Sequence, residues 1–234
     1  MSTKNTHGGR TELVPPAPAL GTLHRASLKE MTVEKIQEAI AAGQLKPGDP
    51  ITELGLARTF GVAQATIREA LIELEHQGFV ERPAARKTCI TSLTGKQIDD
   101  IYLVRVRLET LAIELLATAG SPPLERCRAK CGDMLRAARA GDAVAFYQAD
   151  LDFHRELWRA TANACLADTL ERMVPKIFAF GIMHHSRPSR RKLVELAGMH
   201  ARLLDMVAAG ERDNAKRFME SSMEQAWSDD LKLS

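Results

Sequence analysis

The spacing of Ala57, Gly61 and Ile67 is the feature that most constrains how this chain folds. Two helices of a helix-turn-helix cross closely, so the first needs a small residue and the turn needs a glycine. Here the glycine follows Ala57 by four positions, and the apolar anchor Ile67 follows the glycine by six. The core positions between them are also apolar, at Leu56, Phe60, Val62 and Leu71. The pattern predicts one helix over "ELGLARTF", capped by Thr52, and a second over about Gln64 to His76.

The segments on either side complete a small domain. "SLKEMTVEKIQEAIAAG" has a capping box formed by Ser27 and Glu30, and Gly43 is a stop signal. Its expected inward stripe is Leu28, Met31, Ile36 and Ile40. After the second helix, two strand-like runs, Phe79–Glu81 and Cys89–Thr91, lie on either side of a basic turn. We therefore expect a winged helix-turn-helix over residues 23–92.

The exposed residues of this domain favour contact with DNA. The outward face of the second helix is short and polar, which suits a major groove, and a basic wing suits phosphates or a minor groove. The candidate DNA-binding residues are Arg58, Ala63, Gln64, Thr66, Arg68, Arg86 and Lys87. A domain of this shape can alternatively mediate protein contacts.

The rest of the chain, residues 93–234, is predicted to be an all-α bundle. Thr94 and Gln97 form a capping box, Ser121-Pro122 and Gly141-Asp142 each predict a helix start, and further helices are expected at about 164–182, 190–209 and 213–230. The first residues, 1–22, are rich in Pro, Gly and small polar residues and predict a disordered leader. The fold class is therefore mainly α.

Composition limits the function without deciding it. The 32 Lys and Arg residues nearly balance the 30 Asp and Glu residues, so any basic surface is local. No apolar run is long enough to cross a bilayer, and the four cysteines form no recognisable zinc or redox motif. Cys127 and Cys131, one helical turn apart, are predicted to be reduced thiols, with a shared metal as the alternative. We expect a cytoplasmic protein with no membrane partner.

The stretch "DLDFH" carries chemistry in an unusual place. On a helical wheel, Asp150 and His154 fall within the apolar arc of their helix, away from its other charged residues. His200 lies in the same way among the apolar residues of the helix near 193–207. A carboxylate among aromatic side chains needs a cation or a proton donor. The pattern predicts that these three residues converge in a polar cavity.

Arg105 also lies on an inward face of its helix, and its role is open at this stage. It can pair with Glu109 four residues on, or it can bind the carboxylate of a small ligand.

The first domain resembles the DNA reader of GntR-type transcriptional regulators. The resemblance rests on the "GQLKPG" turn, the "LARTFGV" turn and "REALIELEHQGFV". It implies that Arg68 contacts DNA as the arginine of the recognition helix. Gln64 stands where many members have arginine, and "RK" at Arg86-Lys87 replaces the usual Arg-Gly.

The second domain is similar to the FCD effector domain of the FadR-like subfamily. The motifs are "YLVRVRLETLAIELLA", "DLDFHRELWRATAN" and "ELAGMHARLL". The resemblance implies a divalent metal of the zinc or nickel type, held by Asp150, His154 and His200, with Ser222 where a fourth histidine is common. It also implies an effector site, for which the candidates are Arg105, Asn163 and Ser222. His184 and His185 are further candidate ligands.

These observations predict a homodimeric regulator, not an enzyme, that binds operator DNA and a small organic acid. Two alternatives remain: a metal-free regulator that binds a larger apolar ligand such as an acyl-CoA, and a metal-dependent hydrolase.

Overall fold

The computed structural model describes residues 27–82, 87–184 and 188–230, and within these residues the fold is mainly α. In chain order the elements are α1 (Leu28–Ala41), α2 (Glu53–Phe60), α3 (Gln64–His76), β1 (Val80–Glu81), β2 (Cys89–Ile90), α4 (Gly95–Thr118), α5 (Glu125–Ala140), α6 (Ala143–Ala160), α7 (Ala164–His184), α8 (Arg190–Ala208) and α9 (Arg212–Asp230). Helices α1 to α3 and the two strands form the winged part, and α4 to α9 form the bundle.

The helix-turn-helix follows the predicted pattern closely. Thr52 caps α2 by accepting a hydrogen bond from the Gly55 amide, and α3 has the predicted bounds. Gly61 ends α2 with φ +65°, a left-handed conformation that a side chain disfavours. Ile67 is fully buried beneath the turn. The spacing of small, glycine and apolar positions therefore encodes this element directly.

The predicted stripe of α1 is partly wrong. The capping box of Ser27 and Glu30 is present, and Ile36 and Ile40 are buried. However, Leu28 is 59% exposed and Met31 is 50% exposed. At 100° per residue, the buried face is centred on Val33, Ile36 and Ile40, and Met31 falls on the opposite side of the helix.

The wing is a two-stranded antiparallel hairpin in which Val80 pairs with Ile90 and Glu81 with Cys89. Both strands are shorter than the runs predicted from sequence. Lys87 is exposed beside β2, whereas Arg86 lies outside the described residues. The hairpin packs on the core of α1 and α3 through Val80 and Ile90.

The bundle surrounds one large apolar core to which all its helices except α7 contribute, while α7 packs on a second cluster with α4 and α6. Thr94 and Asp142 cap α4 and α6 as expected. The prediction of a helix start at Ser121-Pro122 is wrong, because α5 begins at Glu125. The intervening residues are non-helical, and Leu124 turns inward as a buried residue. Proline tolerates a first helical turn but does not require one.

Helix α7 also connects the bundle to the winged part. Ala179 belongs to the core of the winged part, together with half-buried Ile182 and Met183. Gly78, just after α3, lies against the backbone of Pro175 so closely that an added Cβ would be 2.3 Å from the Pro175 carbonyl carbon. The Arg155 guanidinium on α6 donates a 2.7 Å hydrogen bond to the carbonyl of His76, at the end of α3. The recognition helix is thus fixed to the bundle at its C-terminal end.

The cysteines are free thiols within this fold. Cys127 is buried in the bundle core, and burial raises the pKa of both Cys127 and Cys131 to about 12. No helix in the described part of the chain is long and apolar enough to cross a membrane.

Candidate functional site

The exposed face of α3 brings the predicted DNA-binding side chains together. Gln64 and Arg68 are exposed and lie one turn apart, and both donate hydrogen bonds to Glu53 on α2. Two nitrogens of the Arg68 guanidinium bind the two carboxylate oxygens, at 3.1 and 2.9 Å. These hydrogen bonds, that of Arg68 foremost, lower the pKa of Glu53. Glu53 therefore orients the two polar side chains that the sequence assigns to the recognition helix.

The remaining predicted contacts surround this pair. Ala63 is exposed and precedes α3, which has no side-chain cap, so the first amides of that helix have no capping side chain. Helix amides of this kind suit phosphate oxygens. Arg58 is exposed on α2, whereas Thr66 is half-buried.

A second candidate site is a cavity of about 150 Å³ inside the bundle. Helices α4, α6, α7, α8 and α9 all contribute to its wall. Its polar residues are Arg105, Asp150, His154, His200 and Ser222, with the hydroxyl-bearing rings of Tyr102 and Tyr147. Most of the remaining wall is apolar. The residues of α6 and α8 that the sequence predicts to face inward thus line one cavity.

Asp150, His154 and His200 meet at the centre of this site. One ligand atom from each of them lies within 4.8 Å of the others. An Asp150 carboxylate oxygen lies 3.0 Å from Nε2 of His200 and 3.5 Å from Nε2 of His154. That oxygen, Oδ1, is buried and has no partner with hydrogen-bond geometry in the described structure. The prediction that these three residues converge is correct.

The other nitrogen of each ring determines what Nε2 can do. Nδ1 of His200 donates to the Leu196 carbonyl at 2.8 Å, and Nδ1 of His154 lies 2.6 Å from a Glu109 oxygen. Each Nδ1 therefore carries a proton, so in the neutral ring the Nε2 atom carries a lone pair and can only accept a hydrogen bond or bind a metal. Nε2 of His154 can then accept a hydrogen bond from Arg105 at 3.3 Å, whereas a lone pair on Nε2 of His200 faces the Asp150 carboxylate at 3.0 Å, which is repulsive unless a proton or metal cation lies between them.

The pKa values of Asp150 and His200 are shifted in the directions that this geometry predicts. Burial alone would lower the pKa of His200, but the charge and hydrogen bond of Asp150, the Leu196 carbonyl and the charge of Glu109 together raise it. Burial alone would raise the pKa of Asp150, but the charge and hydrogen bond of His200 and the charges of His154 and Arg105 together lower it. These shifts favour an ionised Asp150 beside a protonated His200.

Glu109 is the functional residue that the sequence did not assign to the site. It is fully buried beneath His154 and also accepts a 2.7 Å hydrogen bond from Arg105. Burial would raise its pKa, but the charges and hydrogen bonds of His154 and Arg105 lower it to about 2. A carboxylate that holds Nδ1–H of a histidine in this way fixes the ring for metal binding through Nε2.

Arg105 makes the pair with Glu109, one of the two roles that its sequence position left open, and it lies where the other role, binding a ligand carboxylate, would place it. It pairs with Glu109, and it also lines the cavity, with Nη2 3.3 Å from Nε2 of His154. Its guanidinium carbon lies 4.9 Å from the centroid of the Phe178 ring. Its cationic end is therefore held within the cavity wall.

Of the other two predicted effector residues, one lines the cavity and one does not. Ser222 lines the cavity, and its hydroxyl donates a 2.7 Å hydrogen bond to the Phe218 carbonyl, which leaves its oxygen lone pairs as acceptors. Asn163, by contrast, is exposed and accepts a hydrogen bond from the Leu166 amide at the start of α7. It is absent from the cavity wall, so its assignment to the effector site is not supported. His185 lies outside the described residues, as does the side chain of His184.

Comparison with known proteins identifies the family to which this chain belongs. Residues 28–90 match the family described as bacterial regulatory proteins, gntR family, and residues 100–225 match the FCD domain. The FCD match alone spans more than half of the chain. The chain belongs to the GntR family and carries an FCD domain.

Several relatives of this GntR-type chain are similar over most of their length. It is 29% identical over 185 residues to the uncharacterised HTH-type transcriptional regulator YdhC of Bacillus subtilis, covering 78% of this chain and 82% of that one. It is 28% identical over 194 residues to a probable D-xylose utilization operon transcriptional repressor of Paenarthrobacter nicotinovorans, covering 83% and 84%. These relatives are transcriptional regulators, and so is this GntR-family chain.

Solved structures agree on the fold. The structure titled E. coli McbR/YncC superposes with a TM-score of 0.63 at 19% identity, covering 87% of this chain and 97% of that one. A GntR-type putative regulator from Rhodococcus sp. RHA1 gives the same score at 20% identity, covering 86% and 95%. At these identities the likeness is one of fold alone.

Proposed function

We propose that this GntR-family regulator binds operator DNA through α3 and the wing, and that a small carboxylate effector in the bundle cavity controls its affinity for DNA. In this proposal residues 23–92 read DNA, and residues 93–234 bind the effector and a second subunit, as in the FadR-like subfamily. The observation that carries the proposal is the cluster of Asp150, His154 and His200 beside Arg105 in one cavity.

A divalent metal fits the residues of this cavity. Two imidazole Nε2 atoms and one carboxylate oxygen form a nitrogen and oxygen donor set of the kind that zinc and nickel accept. Asp150 Oδ1, which faces both Nε2 atoms without a geometric hydrogen bond, and the Nδ1 hydrogen bonds of both histidines support such a metal. A bound metal would supply a positive charge and open positions that a carboxylate can occupy. Arg105 would then hold the effector carboxylate from the side.

The proposal also explains how the cavity would affect DNA binding. Helix α7 lines the cavity through Ile177, Phe178 and Gly181, and the other side of the same turns packs on the winged part through Ala179 and Ile182. Pro175 within α7 has no amide to donate to the carbonyl one turn earlier, which weakens the helix at that point. An effector that moves Phe178 would therefore act on α7 at the level of its contact with Gly78.

Two other functions fit the cavity less well. A metal-dependent hydrolase needs a free general base beside a metal-bound water. Glu109, the further carboxylate beside these ligands, is held by both His154 and Arg105. A cavity of about 150 Å³ is also small for an acyl-CoA.

We further propose that the protein acts in the cytoplasm as a homodimer. Leu103, Val104 and Leu111 are exposed along one side of α4, where an apolar stripe favours a protein partner. A dimer would place two α3 helices in successive major grooves of a near-palindromic operator. We expect Leu103→Glu to give a folded monomer, measured by light scattering and circular dichroism. A Leu103→Glu protein with unchanged dimer mass would contradict this interface.

The DNA-binding role is tested by one substitution. A duplex would first be selected from a random-sequence pool by the wild-type protein. We expect Arg68→Ala to weaken binding to this duplex by about tenfold or more, since a well-placed arginine contact contributes about 1–3 kcal/mol. Arg191→Ala, at an exposed position on α8, is the control and should leave affinity nearly unchanged. Equal affinity for Arg68→Ala and wild type would refute the assignment of α3.

A further inference from the structure

We propose that the effector is a compact monocarboxylic acid whose apolar body is about the size of one six-membered ring. Aromatic and branched aliphatic acids fit this description, whereas sugar acids, dicarboxylates and long-chain acyl groups do not. This inference rests on the proposed function, since it concerns the acid that occupies the cavity of Asp150, His154 and His200.

Most of the cavity wall is apolar. Its charged and imidazole side chains are those of Arg105, Asp150, His154 and His200, and its hydroxyl groups belong to Ser222 and two tyrosines. The apolar side chains come mainly from α8 and α9, namely Leu196, Met199, Leu203, Phe218, Met219 and Met223. A ligand whose carboxylate binds beside Arg105 therefore has mainly thioether, leucine and phenylalanine groups around the rest of it.

This wall selects against hydroxylated ligands. The several hydroxyl groups of a sugar acid would leave water for a wall that is mainly apolar, where Ser222 and two tyrosine rings are the polar groups outside the charged cluster. Burial of a polar group without a partner is unfavourable. Methionine side chains, in contrast, adapt their shape to apolar and aromatic groups. The wall therefore favours a ligand that is apolar beyond its carboxylate.

The volume sets the size of the ligand body. A dry cavity of about 150 Å³ lined by aliphatic and aromatic side chains holds one benzene molecule. The cavity here has about the same volume. Because the ligand carboxylate shares this space, a single ring or a short branched chain is the upper limit for the apolar body, and a long acyl chain exceeds the space.

The charges set the number of carboxylates. With neutral histidines, Arg105 contributes one positive charge, and Asp150 and Glu109 contribute two negative charges. A divalent metal would change this sum from minus one to plus one. One carboxylate then neutralises the buried site, whereas a dicarboxylate leaves a net negative charge in a setting of low dielectric constant.

The experiment is a calorimetric titration of the full-length protein loaded with Zn²⁺. The probes are benzoate and 3-methylbutanoate for apolar acids, gluconate for sugar acids, succinate for dicarboxylates, and acetate for the carboxylate alone. We expect benzoate or 3-methylbutanoate to bind at least about tenfold more tightly than gluconate, succinate or acetate. Tighter or equal binding of gluconate or succinate would overturn the ligand class and leave the carboxylate-effector proposal intact. If none of the acids binds, the proposed effector function fails as well.

A pair of variants on α8 locates the ligand body. Met199 lines the cavity, whereas Val194 on the same helix is 38% exposed and absent from its wall. We expect Met199→Gln to weaken the better apolar acid by about tenfold, with acetate binding unchanged. Val194→Gln should change neither acid. Unchanged affinity of the apolar acid for Met199→Gln would show that the acid binds elsewhere, and this would overturn the inference.

Discussion

Ser222 is the residue whose chemistry sets the proposed metal site apart from one with four protein ligands. Its oxygen lines the cavity, but a serine hydroxyl is a weaker ligand than imidazole for zinc or nickel. Three protein ligands leave open positions for water or a carboxylate. The proposed site would thus combine a weaker metal affinity with open positions for an effector.

Substitution of Ser222 tests this account of the metal. We expect Ser222→His to tighten Zn²⁺ binding by on the order of tenfold or more, measured by competition with a chromogenic chelator, because it adds an imidazole to the cavity wall. Ser221→His, at the neighbouring exposed position, is the matched control and should leave affinity unchanged. Equal Zn²⁺ affinity for the two variants would argue against a metal beside Ser222.

Residue-level prediction from sequence succeeded where helical phase decides the outcome. The phase of α6 and α8 placed Asp150, His154 and His200 inward, and the structure confirms that they converge. Phase did not reveal that Glu109 lies beneath His154, because this depends on how α4 crosses α6. The signal available in the sequence was an inward carboxylate one turn after Arg105. Asn163 lies outside the cavity wall, because a residue that follows a ligand-bearing helix can instead cap the next one.

Helix α7 is the element that joins effector cavity and DNA reader. Its length was predicted to within two residues, but its position between the two parts was not. An amphipathic pattern shows which face is buried without showing which neighbour covers it. Ala179, for example, is buried against α1 and α3 and not against the bundle core. The close approach of Gly78 to Pro175 was equally invisible in the sequence, where Gly78 is simply a helix stop.

A pair of glycine variants measures the contact between α7 and the reader. Gly78 has φ +80° and no room for a Cβ against Pro175, whereas Gly43 has φ +71° and open space. We expect Gly43→Ala to lower the free energy of unfolding by about 1–2 kcal/mol, the cost of a left-handed alanine. Gly78→Ala should cost more in a denaturant titration, because the Pro175 backbone must also shift. Equal losses would mean that the contact contributes nothing to stability.

The whole molecule is a DNA reader whose recognition helix is fixed at one end to a ligand-binding bundle. Fold class and the order of the two parts were predictable, because capping boxes, glycine stops and helix-turn-helix spacing are local signals. Their mutual placement depends on long-range contacts such as that of Arg155 with His76. A ligand can shift DNA affinity only through such contacts, and DNA must then shift ligand affinity by the same factor.

The most direct test of the central claim is the Kd of the selected duplex, measured by fluorescence anisotropy with Zn²⁺ and with or without a saturating acid from the titration above. We predict that the acid changes the Kd of the wild-type protein by about fivefold or more, the usual range of coupling between sites. The change should be lost in His154→Gln, which removes one ligand from the cavity while the DNA-binding face stays intact. A wild-type Kd that stays the same while the acid is bound would contradict the account, as would an undiminished response in His154→Gln.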